Sequence, residues 1–103
     1  EISPEQLKKT EVFILDNLSN LYSMQDQNHQ SIELMNKILS KDIDKKTEIL
    51  TKYKLAKYKC IIKEYDDALE IINELINNQF FEPVALAVAN PEFKLLLIFS
   101  DVF

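Results

Sequence analysis

The side chains that could perform nucleophilic, acid–base or metal chemistry are few and widely spaced. The chain has one histidine, His29, and one cysteine, Cys60, so a cysteine metal cluster and an internal disulfide are both excluded. We expect His29 at the surface, and Cys60, which precedes two isoleucines, in the core. Asp66 and Asp67 point in different directions on a helix, which is typical of a helix start and not of an acid–base pair. The sequence therefore predicts a protein that is not an enzyme and has no metal or cofactor.

The composition favours a helical domain and argues against several ligand classes. The 103 residues include no glycine and no tryptophan, and the net charge is −5. Without glycine, a β-protein and a Gly-rich nucleotide site are both disfavoured. Every basic residue is a lysine, so the bidentate arginine contacts of nucleic-acid readers are missing and direct nucleic-acid binding is not expected. No apolar run reaches the roughly eighteen residues that a membrane span needs.

The compartment cannot be read from the first residues. The chain begins with Glu1 and not with methionine, which we interpret as a processed form or an excised piece. A targeting segment would then already be gone. A cytoplasmic location is favoured, and an envelope or secreted location stays open.

Capping residues and helical spacing predict the first hairpin, residues 4–40. Ser3 and Pro4 form a helix start, with Glu5 at the positive end of the dipole. Apolar residues then recur at helical spacing and extend the first helix to about residue 24, namely Leu7, Ile14, Leu18, Leu21 and Tyr22. Asp26 or Asn28 can cap a second helix that runs to about residue 40.

The same signals predict a second hairpin, residues 45–78, and a C-terminal pair of helices. Asp44 is the expected cap of a third helix at about 45–62, and a fourth helix follows the turn KEYDD, with Asp66 and Asp67 as its cap and dipole partner. Pro83 and Pro91 each resemble a first helical residue, which predicts a short helix at 83–89 and a final one from 91. The chain is thus expected to form one domain of five to six helices.

An internal repeat is found when the chain is shifted by 37 residues. NLSNLYSMQDQNHQSIELMNKIL (17–39) aligns without a gap on KLAKYKCIIKEYDDALEIINELI (54–76). Small residues coincide at two places twelve residues apart, Ser19 with Ala56 and Ser31 with Ala68. Because antiparallel helices cross closely where both side chains are small, we expect Ser19 to meet Ser31 and Ala56 to meet Ala68.

This pattern resembles the tetratricopeptide repeat (TPR), a helical-hairpin family with a unit of about 34 residues. The resemblance covers about residues 12–80. The second unit, 54–76, matches best, with its Leu-Ala pair at 55–56, an aromatic residue before the acids of the turn, and the central Ala68. Tyr22 stands at the family's aromatic position in the first unit. The chain departs from the pattern because the family's glycines are replaced, Ser31 stands for the central alanine and Lys59 for an aromatic residue. The resemblance implies an all-α fold, a right-handed stack of antiparallel helical hairpins.

The resemblance also implies a way of binding. In such proteins the first helix of each hairpin lines a concave groove that holds an extended peptide or a partner's helix. Here the groove would be lined by Phe13, Asn17, Asn20 and Met24 of the first helix and by Leu50, Tyr53, Lys54 and Lys57 of the third. Asparagine can bond a peptide backbone and lysine a carboxylate. The family's carboxylate clamp is doubtful because Asp16 occupies the place of its lysine. The alternative is that these residues face solvent or a missing repeat.

The last residues, FKLLLIFSDVF (93–103), are apolar on nearly every side of a helix. Such a helix is normally buried on all faces, so the rest of a longer protein or a second copy should cover it. We expect a homodimer through this segment, with contacts from Phe93, Leu96, Leu97, Phe99 and Phe103. The competing prediction is that the segment folds back and caps the second hairpin.

The function predicted from these patterns is a non-catalytic protein- or peptide-binding module, an adaptor or scaffold. Two alternatives stay open: a peptide-sensing regulatory domain of a larger bacterial regulator, and an oligomerisation domain.

Overall fold

The computed structural model describes residues 2–77, which fold into four α-helices and contain no strand. The helices are α1 (Pro4–Met24), α2 (Asn28–Leu39), α3 (Lys45–Ile61) and α4 (Tyr65–Asn77). The all-α prediction is confirmed. The predicted number of five to six helices is higher than the four observed, and the two further helices, at 83–89 and from 91, lie outside the described residues.

Each helix packs mainly on its neighbour along the chain, so that α1 contacts α2, α2 contacts α3 and α3 contacts α4. The three connections cover only residues 25–27, 40–44 and 62–64. Connections this short make consecutive helices antiparallel neighbours. The domain is therefore a row of helices in which α1 and α3 run in the same direction. None of the four described helices is long and apolar enough to cross a lipid bilayer.

Side-chain caps fix where α1 and α3 begin. The Ser3 hydroxyl accepts a hydrogen bond from the Gln6 N–H, and the Gln6 side chain accepts one from the Ser3 N–H, which completes a capping box. Asp44 accepts from the Thr47 N–H at 2.8 Å. Each cap satisfies a backbone donor that the first helical turn leaves without a partner.

The expected caps of α2 and α4 are wrong. The residue before α2 is Gln27, whose side chain makes no capping bond, and Asn28 is instead buried, where it accepts from the Ser23 hydroxyl at 2.8 Å. Helix α4 begins at Tyr65, so Asp66 and Asp67 lie inside its first turn. They can still interact with the positive end of the helix dipole, but neither is the cap.

The two helical hairpins, α1–α2 and α3–α4, have the same turn geometry, 37 residues apart. Asp26 and Lys63 are the two non-glycine residues with positive φ in the described part of the chain, at 59° and 68°. In each turn the next N–H donates to the carbonyl five residues earlier at 2.8 Å, Gln27 to Tyr22 and Glu64 to Lys59. This bond is the mark of a Schellman motif, which normally has glycine at the positive-φ position. The sequence repeat thus coincides with a repeat in the backbone.

The four small residues of the repeat lie in the interior. Ser19, Ser31, Ala56 and Ala68 are all 0% exposed. Between α1 and α2 the Ser31 hydroxyl donates to the main-chain carbonyl of Ser19 at 2.6 Å. A side chain can bond another helix's backbone only where the two helices approach closely, so α1 and α2 are in close contact at this point.

The buried side chains form two clusters, one on each side of α3. Between α3 and α4 lie Ala56, Cys60, Ala68, Ile72 and Leu75. Between α2 and α3 lie Met35, Ile38, Leu55 and Tyr58, with Val12 and Leu15 of α1 packed against them. Ile71 touches both clusters. Burying each large side chain of this kind stabilises the fold by about 1.5–3 kcal/mol relative to its exposed state.

Helix α1 leaves exposed most of the residues whose spacing predicted it in the sequence. Of Leu7, Ile14, Leu18, Leu21 and Tyr22, the first four are exposed, between 37% and 56%, and Tyr22 is half-buried. The side of α1 that faces the core carries Val12, Leu15 and Ser19 instead. A helix with two apolar sides gives a clear helical period, but that period cannot identify the side that packs on α2.

Candidate functional site

Two contacts fix how α1 and α3 lie against each other. The Lys54 ammonium contacts the Asp16 carboxylate at 2.6 Å, and the Tyr58 hydroxyl donates to Oδ1 of Asn20 at 3.1 Å. The two contacts are four residues apart on both helices, which is about one helical turn. Helices α1 and α3 are therefore parallel, and a residue of α1 lies level with the residue of α3 that is 38 positions later.

This register brings exposed side chains of both helices onto one surface, which we call the groove face. In this register Phe13 lies within one residue of the level of Leu50 at one end, and Met24 lies within one residue of the level of Ile61 at the other. All four are exposed, with Phe13 at 68% and Met24 at 80%. The Lys54–Asp16 pair lies between the two ends. The groove face thus has an apolar patch at each end and a polar middle.

A cavity of ≈ 720 Å³ opens at the Phe13 end of the groove face. It is bounded by α1, by the start of α3 and by the connection between α2 and α3. Apolar side chains and a threonine form one part of its wall, namely Val12, Phe13, Ile38, Ile43, Leu50, Thr51 and Tyr53. Charged side chains line the rest, among them Lys8, Asp16, Asp42 and Lys54. The volume falls within the range of typical small-ligand sites, and it could hold several side chains of a partner.

The predicted groove residues divide into two groups. Phe13, Leu50, Tyr53 and Lys54 line the cavity. Asn17, Asn20, Met24 and Lys57 do not line it and lie further along the two helices. The predicted groove residues from the N-terminal parts of α1 and α3 therefore lie around one cavity. Those nearer the C-terminal ends of the two helices lie outside it.

The polar residues of the groove face are partly occupied by contacts within the domain. Asn17 donates its amide N–H to the Phe13 carbonyl at 2.9 Å, and Asn20 accepts from Tyr58. Lys54, which we expected to be available for a ligand carboxylate, is held by Asp16. Lys57 has no ion pair with any residue in 2–77 and is half-buried. Lys57 is thus the cation of this face that can meet a partner's carboxylate.

Ion pairs and a cap fix the elements around the cavity. Lys41, just after α2, contacts Glu11 of α1 at 2.8 Å, and this hydrogen bond lowers the pKa of the Glu11 carboxyl below its ordinary value of 4.5. The hydrogen bonds from Thr47 likewise lower the pKa of Asp44, which caps α3 at the cavity wall. Both carboxylates stay ionised at neutral pH, so Glu11 holds Lys41 and the end of α2 to α1, and Asp44 caps the start of α3.

The residues considered for catalysis have separate structural settings in the described part of the chain. His29 is exposed and Cys60 is buried. Asp67 lies 3.2 Å from the Lys59 ammonium, an ion pair that joins α3 to α4. Within residues 2–77, no three His, Cys, Asp or Glu side chains are grouped closely enough to hold a metal ion.

One wall of the cavity is formed by residues that the helical spacing did not predict. Ile38 at the end of α2 and Ile43 in the following connection both line it, although only first helices of hairpins were expected to contribute. The available signal was Ile43 itself, the one apolar residue in the polar stretch SKDIDKK. The residues predicted for self-association, Phe93, Leu96, Leu97, Phe99 and Phe103, lie outside the described part of the chain.

Comparison with known proteins gives no further guide to this surface. No family model, no curated protein and no solved structure matches the chain. What the groove face can bind follows from its own residues.

Proposed function

We propose that this chain is a non-catalytic protein- or peptide-binding module of the TPR-like type, a right-handed stack of hairpins whose groove face receives an extended segment of a partner protein. The observation that carries this proposal is the exposure of Phe13 and Leu50 beside a cavity of ≈ 720 Å³. Single apolar residues on a surface are ordinary, but a cluster of them next to a concavity is typical of a binding site. The repeated turns and the buried small residues support the TPR-like architecture.

The length of the groove face suggests what fits on it. Phe13 and Met24 are eleven residues apart on α1, which corresponds to about 16 Å along the helix axis. An extended chain covers that distance in about five residues, at about 3.3 Å each. Because successive side chains of an extended chain point to opposite sides, the two large apolar side chains of a partner segment must be an even number of positions apart. A spacing of four or six positions, about 13 or 20 Å, brings one to the Phe13–Leu50 end and the other to the Met24–Ile61 end.

The charge in the middle of the groove face favours a particular residue in the partner segment. Asp16 is neutralised by Lys54, whereas Lys57 has no ion-pair partner among the described residues. An acidic residue between the two apolar side chains of the partner would complement Lys57. Because Lys57 is close to solvent, we expect this contact to affect selectivity and salt dependence more than affinity.

Selection from a random dodecapeptide phage library on the immobilised 103-residue chain tests the proposal. Selected peptides are titrated by fluorescence anisotropy against the parent and its variants. We expect F13S and L50S each to weaken binding by at least tenfold, because each removes an apolar anchor. The matched control is L18S, the same change at a similarly exposed leucine on another side of α1. Peptides that bind the parent, F13S and L50S equally well would place the binding site elsewhere, and a library without binders would contradict the proposal.

A further inference from the structure

A second apolar surface runs along α1 on a different side from the groove face. It consists of Leu7, Ile14, Leu18 and Leu21, with exposed fractions of 37% to 56%. None of the four belongs to, or packs against, either buried cluster of residues 2–77. We call this surface the outer ridge. Four large apolar residues aligned on one side of a helix form a continuous stripe, unlike scattered single exposures.

None of the four residues of the outer ridge is charged, and the carboxylate at its edge, Glu11, contacts the Lys41 ammonium at 2.8 Å. The ridge's spacing of three and four residues is completed by Thr10, whose hydroxyl proton is donated to the Gln6 carbonyl at 3.0 Å. Glu11 borders the ridge between Leu7 and Ile14, whereas the other ionisable residues of α1 lie on other sides of the helix: Glu5, Lys8, Lys9 and Asp16. A helix side that faces only water normally carries charges, whereas the centre of a protein interface is depleted of them. The four ridge residues themselves have the composition of an interface centre, with Glu11 at its rim.

The arrangement of the ridge is symmetric about Ile14. Leu7 and Leu21 lie seven residues before and after it, each about 10 Å away along the axis. If a second copy of α1 lies antiparallel on the ridge, Ile14 meets Ile14 of the partner subunit, and Leu7 meets the partner's Leu21. A surface that complements itself in this way is what an isologous two-fold dimer requires.

We propose that a second copy of this chain docks on the outer ridge and forms an antiparallel pair of α1 helices about a two-fold axis at Ile14. The ridge is about 21 Å long, and pairing two such helices buries roughly 1,000 Å² in total, near the lower limit of specific interfaces. The dimer is therefore weak and dependent on concentration. Because the groove face lies on another side of α1, both copies keep it accessible.

Disulfide trapping tests the geometry directly. In I14C the new thiols lie next to each other at the two-fold axis, so mild oxidation gives a covalent dimer on a non-reducing gel. L7C alone gives none, because its two copies are about 21 Å apart, whereas an equimolar mixture of L7C and L21C gives a covalent heterodimer. F13C, which is on the groove face, is the control and stays monomeric. The natural thiol of Cys60 is buried and does not compete.

Sedimentation over a concentration series supplies the second test. We expect the parent to dimerise by about 100 μM and I14E to stay monomeric with an unchanged circular dichroism spectrum, since position 14 is exposed. A parent that is strictly monomeric at that concentration overturns the proposal. So does a dimer that persists in I14E and does not cross-link through position 14, which is the result expected if residues 91–103 carry the association.

Discussion

Replacing Ala68 by leucine tests the close packing of α3 against α4. Ala68 is 0% exposed, and Ala56, also 0% exposed, belongs to the same cluster. Leucine adds three carbon atoms at a position that solvent does not reach. Because protein interiors are packed as densely as organic crystals, these atoms must displace a neighbouring side chain or move the two helices apart.

The expected loss of stability for A68L is about 1–3 kcal/mol, the usual cost of overpacking a core. In a domain of this size each kcal/mol lowers the melting temperature by about 4–8 °C. Thermal and urea unfolding followed by circular dichroism at 222 nm measure both quantities. The control is E70L, which places the same side chain at an exposed position of α4 and should change stability by less than about 0.5 kcal/mol.

An A68L variant that melts within a degree or two of the parent would refute this reasoning. It would mean that the space around Ala68 accommodates a leucine, and that α3 and α4 do not cross closely there. The interpretation of the 37-residue repeat would then lose its main structural support.

Three further predictions concern the turns, the α1–α2 contact and acid stability. K63G should raise the stability by roughly 0.5–1 kcal/mol in urea unfolding, because φ is 68° at this position and glycine adopts positive φ without steric cost; K63A should give no such gain. S31A should lower it by about 0.5–1.5 kcal/mol, since the hydrogen bond from Ser31 to the Ser19 carbonyl is lost; a variant as stable as the parent would show that this bond contributes nothing. The pKa values of Glu11 and Glu48 are lowered from 4.5, first of all by hydrogen bonds from Lys41 and Lys52. The stability that these carboxylates contribute is therefore complete above pH 4.5, and it is lost as the pH falls through their lower pKa values in the folded state. Urea midpoints at pH 7, 4.5 and 3 measure this, and K41M should be less sensitive to acid than the parent.

Local signals in the sequence were enough to locate the helices. Ser3 and Asp44 are side-chain caps with nearby backbone partners, and a cap depends on only a few residues, so the starts of α1 and α3 could be read directly. The start of α2 could not, because Asp26 adopts positive φ as the closing residue of the preceding turn. Asp26 thus belongs to the turn that ends α1 and is not the residue before α2.

The groove face was harder to predict because it depends on pairing between distant residues. Lys54 and Asp16 are 38 positions apart, and their ion pair removes Lys54 as a free cation, which no local pattern indicates. The cavity wall at Ile43 likewise depends on how the α2–α3 connection folds against α1. For α1, two apolar sides gave the same helical period, so spacing alone could not separate the outer ridge from the core.

The most direct test of the central claim, that the groove face binds an extended segment of a partner, is chemical-shift mapping. A selected dodecapeptide is titrated into the ¹⁵N-labelled chain, and the backbone amide shifts are followed. The groove proposal predicts that the largest changes fall on α1 from Phe13 to Met24 and on α3 from Leu50 to Ile61, with little change in α4. Shifts confined to the outer ridge or to α4, or no shifts at millimolar peptide, would contradict it.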